Sequence, residues 1–270
     1  MARLNTNLAL FDSGIGGFTV LNRIRERHRF FDFIYLADTA RQPFGEKDSS
    51  QIRKIAKEII QWLNMYNPSA IVVACNTTNS LAIDIVKDLS CCPVFELIST
   101  AALMLNKKNI GVIATPATVF SGEYSRQIKL FNTRASVFEQ SCPLLVPMIE
   151  SGEITGANIK SILWEYLSPL IDKNVEEIVL GCTHYPILMP VLRELLPPQV
   201  RIVDPAIGIA NKIDELADLS NFSKNTAPLV GNTRLCVTSD PIGFAKRSRS
   251  VLGHCPKVEL VSLLSKACFL

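Results

Sequence analysis

Two stretches of this 270-residue chain repeat one pattern: Ala70-Ile-Val-Val-Ala-Cys75-Asn-Thr77 and Glu177-Ile-Val-Leu-Gly-Cys182-Thr-His184. Each is an apolar run, a small residue, a cysteine and polar groups, followed by a helical pattern. Short apolar runs bounded in this way read as buried strands. Open α/β sheets bind ligands beyond the carboxyl ends of their strands, so each frame places a thiol where a ligand would sit. Two thiols carried by similar frames can approach one small substrate from opposite sides. That arrangement suits taking a proton from one face of a carbon and returning one to the other.

The rest of the chain alternates in the same sense. Strands are predicted at Leu8–Phe11, Phe33–Leu36, Ala70–Ala74, Val94–Leu97, Ile110–Ala114, Ser136–Phe138, Ile178–Gly181, Arg201–Val203, Leu235–Thr238 and Val258–Leu263. Helical periodicity covers Gly17–Arg27, Ser50–Met65, Ser80–Leu89, Thr118–Leu130, Asn158–Leu170, Pro186–Leu195 and Pro241–Leu252. Such alternation argues for parallel sheets with right-handed crossovers. The cysteine frames lie 107 residues apart, and Leu8–Ser13 is echoed by Gly111–Thr115. The expected fold class is therefore α/β, with two similar parallel-sheet α/β domains facing each other across an active-site cleft. The alternative is a single sheet in which the likeness of the frames is chance.

Composition removes several function classes. A net charge of +3 is too small to argue for nucleic acid. Lys246, Arg247 and Arg249 read as a solvated helix face. The first residues lead only into the short apolar run Leu8–Phe11, less than a signal-peptide core or a membrane span requires, so a cytoplasmic protein with no membrane association is expected. Eight cysteines scattered through a chain with its own core are compatible with that compartment. Cys91-Cys92 is followed by Pro93 and reads as structural. Closely spaced ligand pairs are lacking, so no metal is expected.

The first strand runs into Asp12-Ser-Gly-Ile-Gly-Gly17. Glycines at a strand-to-helix turn bring backbone N–H groups close to an anion. The spacing is neither Gly-x-Gly-x-x-Gly nor a Walker sequence, so the cradle suits a carboxylate better than a nucleotide. A plain tight turn is the other reading. Asp12 stands where it could bind a substrate ammonium or orient a thiol. Read alone, Asp38-Thr-Ala-Arg-Gln-Pro-Phe-Gly45 is an ordinary loop, and Glu150 is an acid closing an apolar segment. A free thiol is only slightly ionised at neutral pH, with a pKa of about 8.5. Cys75 precedes Asn76, Thr77 and Thr78, natural N-cap residues, and Cys182 precedes Thr183, His184 and Pro186. Helix N-termini stabilise thiolates, and a neighbouring His or carboxylate can relay the proton.

Four blocks together resemble the bacterial glutamate racemase family, in its order and spacing: Asp12-Ser13-Gly14 with Gly16-Gly17, Asp38-Thr-Ala-Arg41 with Pro43-Phe44-Gly45, Ala74-Cys75-Asn76-Thr77, and Leu180-Gly-Cys182-Thr-His184-Tyr-Pro186. The resemblance runs along nearly the whole chain. It implies one domain from residues 1–97 and 208–270, carrying Cys75, and a second from 98–207, carrying Cys182. It implies cofactor-independent interconversion of L- and D-glutamate, the latter for peptidoglycan. Cys75 and Cys182 are then the acid/base pair, assisted by Asp12, Glu150 and His184. Asp12, Ser13, Phe44, Gly45, Asn76, Thr77, Thr118, Thr183 and His184 would line the substrate site. Phe44 stands where the family generally has Tyr, Ala37 replaces a common Gly, and Thr78-Asn79 replaces small residues. The short lead-in to the first strand leaves no room for the N-terminal extension that regulates some members. Rival readings are a related racemase acting on aspartate or a similar acid, a zinc hydrolase using Cys75, Cys182 and His184, and a non-catalytic amino-acid-binding protein. The expected partner is the small substrate; a homodimer is open, and the sequence does not fix the oligomeric state.

Overall fold

The computed structural model describes residues 7–219 and 231–263. The first six residues, part of the 208–270 segment and Cys268 lie outside them. Ten strands alternate with helices over the described residues. In chain order these are β1 (Asn7–Asp12), α1 (Phe18–Arg27), β2 (Asp32–Ala37), α2 (Ser49–Asn64), β3 (Ala70–Val73), α3 (Asn76–Leu89), β4 (Val94–Glu96) and α4 (Leu97–Met104). There follow β5 (Asn109–Ala114), α5 (Pro116–Ser121), α6 (Glu123–Phe131), β6 (Ser136–Ser141), α7 (Leu145–Glu150), α8 (Ala157–Asp172) and β7 (Glu177–Gly181). The remainder are α9 (Met189–Leu195), β8 (Arg201–Val203), α10 (Pro205–Leu219), β9 (Thr233–Val237), α11 (Pro241–Leu252) and β10 (Glu259–Leu260).

Two parallel sheets result. One has six strands in the order β10-β9-β2-β1-β3-β4; the other has four, β6-β5-β7-β8. The run β2-β1-β3-β4 and the run β6-β5-β7-β8 are the same arrangement built twice. In the first, Phe11 pairs with Val73, so Asp12 and Ser13 leave the sheet beside Ala74 and Cys75. In the second, Ala114 pairs with Gly181, and Thr115 leaves beside Cys182. The matched cysteine frames therefore reflect a structural repeat, and the single-sheet alternative is set aside.

Period-two alternation gives each central strand two apolar faces. Leu8 and Leu10 pack with Phe18, Tyr35 and Phe244, while Ala9 and Phe11 pack with Ile34, Ile59 and Val73. In the second sheet Ile178 and Leu180 pack with Leu163 and Leu167, and Val179 packs with Tyr124 and Ile128. Each fully buried side chain of this size contributes about 2 kcal/mol of burial free energy. Helix α2 begins at a capping box: Asp48 Oδ1 accepts from Gln51 N at 2.9 Å, and Asp48 N donates to Gln51 Oε1 at 3.2 Å.

Several elements depart from the sequence reading. Leu97 starts α4 instead of ending β4. The expected helix over Thr118–Leu130 is two helices, broken where Gly122 takes φ +65°. Pro186–Leu195 begins as a 3-10 turn over Tyr185–Leu188, because prolines 186 and 190 supply no N–H to a continuous α-helix. β6 runs to Ser141 and β10 covers only Glu259–Leu260. Helices α4, α7 and α10 were not anticipated. α10 starts Pro-Ala-Ile-Gly-Ile-Ala, an apolar run packed on both α1 and α4, and its polar residues Asn211, Asp214 and Glu215 come only in the second half, which leaves its start unmarked. Among the described residues no helix is long and apolar enough to cross a membrane.

Candidate active site

Both repeated frames deliver their cysteines to one cavity. Its walls carry Asp12, Ser13, Phe44, Gly45, Cys75, Asn76, Thr77, Cys182, Thr183 and His184. Cys75 and Cys182 are 4% and 6% exposed. Most of the polar groups anticipated from the sequence are thus brought together. Two stand behind the wall. Thr118 is fully buried, its hydroxyl 3.0 Å from that of Thr115 and 3.5 Å from that of Thr77. Glu150 reaches the site only through His184, as described below.

The polar run after Cys75 does not cap the helix as expected. Cys75 itself is the N-cap, with extended backbone, and Asn76 is already helical. Asn79 shows why the chain turns here. Its amide donates to the carbonyls of Val73 and Cys75 at 2.8 and 2.7 Å, and its Oδ1 accepts from Leu97 N at 2.7 Å. The side chain satisfies strand-end carbonyls that would otherwise be buried without partners, and it pins α4 to the same point. Asn79 is therefore a brace beneath Cys75.

The two sulfurs have different surroundings. Burial first, then the charge of Asp12, pushes the Cys75 thiol well above its ordinary range. Cys182 Sγ lies 3.7 Å from His184 Nδ1, and His184 Nε2 lies 2.8 Å from Glu150 Oε1. Burial works against a charged imidazole, but the bonds to Cys182 and Glu150 outweigh it and hold His184 well above its usual value. The result is a cation beside the Cys182 sulfur, the setting in which reactive cysteines work. Glu150 is held below the usual carboxylate range: burial opposes this, and His184, Gln42 and the amide of Ile15 overcome it.

Asp12 links the two sheets. Its Oδ1 accepts from Ser13 N at 2.7 Å and its Oδ2 from Thr183 Oγ1 at 3.0 Å. The glycines beside it permit close approach: a Cβ on Gly17 would come within 2.7 Å of Asp12 Cβ, and one on Gly16 within 2.6 Å of Thr183 Oγ1. Thr19 Oγ1 lies 2.9 Å from the carbonyl oxygens of both Gly16 and Thr183. The loop that read as a possible anion cradle is thus also the seam on which the second frame rests. On the opposite side Gly45 O accepts from Ala117 N at 3.0 Å, and Asn76 Oδ1 accepts from Tyr124 Oη at 2.6 Å. Phe44 is buried in the wall, where it offers packing and no hydroxyl.

Burial raises the Asp12 carboxyl to about 6 from its ordinary 3.8, with His184, Ser13, Thr183 and Cys75 pulling the other way. The native state holds this proton more tightly than the unfolded chain does. Its stabilising contribution is therefore full below pH 3.8 and is lost as pH rises through about 6. The loss amounts to about 3 kcal/mol. Asp12→Asn is expected to gain stability over the native protein across that window, keep the gain at pH 8 and lose activity. Urea unfolding at pH 4.5 and pH 8 checks this, and parallel pH dependences would contradict it.

Residues the sequence reading passed over also form the wall, among them Thr115, Pro116, Cys142, Pro143, Val146 and Pro147. Thr115 had a signal, since it ends the strand that echoes β1. Burial pushes the Cys142 thiol far up, which suits an inert wall. The basic cluster needs one correction. Lys246 and Arg249 are exposed as expected, but Arg247 is half-buried, with Nε 3.4 Å from Glu150 Oε2. Among the described residues no group of three or more His, Cys, Asp or Glu side chains is placed to hold a metal ion.

Known proteins share this architecture and sequence. The description Asp/Glu/Hydantoin racemase matches residues 22–212. A glutamate racemase of Synechococcus sp. (strain CC9605) is 46% identical, covering 94% of this chain and 96% of its own. One from Prochlorococcus marinus (strain NATL1A) is 42% identical over 96% and 98%. The crystal structure of glutamate racemase from Francisella tularensis in complex with D-glutamate superposes with TM-score 0.89 at 33% identity, covering 96% of this chain and 98% of that one. An aspartate racemase from Picrophilus torridus, 16% identical with TM-score 0.58 over 78% and 93%, shares the fold. With the repeated thiol frames meeting in one cavity and near full-length identity of this order, the chain belongs to the Asp/Glu/Hydantoin racemase family and is an amino-acid racemase.

Proposed function

We propose that this enzyme interconverts L- and D-glutamate by proton transfer at the α-carbon, with Cys75 serving one face and Cys182 the other. The observation that carries the reading is the convergence of the two sulfurs, from equivalent strand ends of two sheets, on a cavity walled by Ser13, Thr77, Thr115 and Thr183. Glutamate is favoured over aspartate by the relatives: those at 42–46% identity are named glutamate racemases, and the Francisella structure holds D-glutamate.

One thiolate removes the α-proton while the opposite thiol donates to the other face, and the roles exchange with direction. In one direction the Cys75 thiol is the acid and Cys182, beside the His184 imidazolium, is the base. A carbanion next to an ionised carboxylate is very unfavourable, so the site must direct N–H and hydroxyl donors at that carboxylate and exclude water. Asn76 and Thr77, on the cavity wall at the start of α3, offer backbone donors, and the threonine hydroxyls add to them. Asp12 takes the ammonium or serves Cys75. The proposed domains are residues 1–97 with 208–270, and 98–207; their closure over the substrate would exclude water. The chemistry asks for no added cofactor or metal. In this reading the enzyme works in the cytoplasm and supplies D-glutamate for peptidoglycan.

A chiral assay of purified protein tests this. L-glutamate should convert until both enantiomers are equal, unaffected by a chelator or added pyridoxal phosphate, with L-aspartate a poor substrate. Preference for aspartate, or dependence on metal, would overturn the reading.

A further inference from the structure

The Glu150 carboxylate is held from two sides. Oε1 accepts from His184 Nε2 at 2.8 Å, from Gln42 Nε2 at 2.7 Å and from Ile15 N at 3.4 Å. Oε2 faces Arg247 Nε at 3.4 Å. Arg247 rides on α11, which is fixed by the fully buried Phe244 and Ser248. Its other end is held too: Arg247 Nη1 lies 3.3 Å from Asp240 Oδ2. Asp240 in turn caps α11, its Oδ1 accepting from Gly243 N at 2.9 Å. A continuous line of polar contacts thus runs from the surface to the reactive sulfur: Asp240, Arg247, Glu150, His184, Cys182.

We infer that Arg247 is a positioning residue that holds the Glu150 carboxylate against His184 and so acts on the Cys182 face of the reaction. The inference rests on the two-thiol reading above. A carboxylate fixed at both oxygens keeps the imidazole in one orientation, with Nδ1 toward the sulfur. Other ionisable groups bearing on this line are Asp12, which faces His184 electrostatically, and Tyr35, which lies within the field of Glu150 and Asp12. Neither bonds to Oε2. Removing the guanidinium frees that oxygen and withdraws one positive charge from the line. Both changes make negative charge harder to hold at the Cys182 sulfur. Cys75, which faces the charge of Asp12, stands outside the line.

The test compares Arg247→Met, Arg247→Lys and Asp240→Asn in the full chain. Racemisation is measured from both enantiomers, and alkylation of each cysteine by iodoacetamide is followed by mass spectrometry from pH 6 to 9. Arg247→Met should lower kcat/KM by about fivefold, equally in both directions because the equilibrium is fixed. It should also slow Cys182 alkylation about threefold relative to Cys75. Arg247→Lys should recover part of both losses. Asp240→Asn keeps an acceptor for the helix cap and should show the same pattern more weakly, and it carries the test if the Met variant does not fold. An unchanged Cys182 to Cys75 alkylation ratio in a folded variant, or a Lys variant no better than Met, overturns the inference. If the wild-type protein does not racemise glutamate, the proposed function falls, and the alkylation ratio still decides the role of Arg247.

Discussion

Replacing either Cys75 or Cys182 by serine is expected to lower racemisation about a thousandfold or more in both directions while the chain still folds. A serine hydroxyl fits the space of the thiol, and both residues stand where the core meets the cavity wall, so the packing around them survives. The chemistry does not. A hydroxyl ionises far above neutral pH, so neither the base nor the acid role can pass to it. Loss of one sulfur stops both directions, because each turnover needs a base on one face and an acid on the other. Racemisation rates with circular dichroism of each variant decide the matter. Near-normal turnover in a folded single variant would remove that cysteine from the reaction.

Gly16→Ala should cost about a hundredfold in kcat/KM without touching a reacting group. A Cβ at this position would fall on the His184 ring at Nδ1 and Cε1 and within 2.6 Å of Thr183 Oγ1. The Gly16 backbone is tied through Thr19 to the carbonyl of Thr183 and cannot retreat without opening the seam between the sheets. The imidazole must therefore move, losing its contact to Cys182 or its bond to Glu150. Selective slowing of Cys182 alkylation should accompany the loss of turnover. A Gly16→Ala enzyme with unchanged kinetics would show that His184 is not held where the structure places it.

The parts of this site that were legible in the sequence are those fixed by strand ends. Asp12 ends a buried parallel strand and Cys75, Cys182 and Thr183 follow one, and parallel sheets send their strand ends to one edge. The family likeness added Glu150 and Phe44, which no local pattern distinguishes. What was not legible depends on contacts distant in sequence. In the sequence Asn79 stands out only as a departure from small residues, yet its side chain holds the carbonyls of Val73 and Cys75 and the amide of Leu97. Arg247 looked like one of three cations on a helix face, and it turns toward an acid 97 residues earlier in the chain. The apolar run marks β6 only to Phe138, because this half-exposed edge strand continues through the polar residues Glu139, Gln140 and Ser141. α10 is obscured for the opposite reason, its first six residues being apolar on every side.

The central claim is that each thiol serves one face of the α-carbon, and turnover in deuterated water tests it most directly. A proton taken by one cysteine remains on that cysteine, while the opposite cysteine, equilibrated with solvent, delivers deuterium. Starting from either enantiomer, the account predicts early product carrying solvent deuterium at the α-carbon while recovered substrate stays almost unlabelled. Equal early labelling of substrate and product, from a single base shared between the faces, would contradict it.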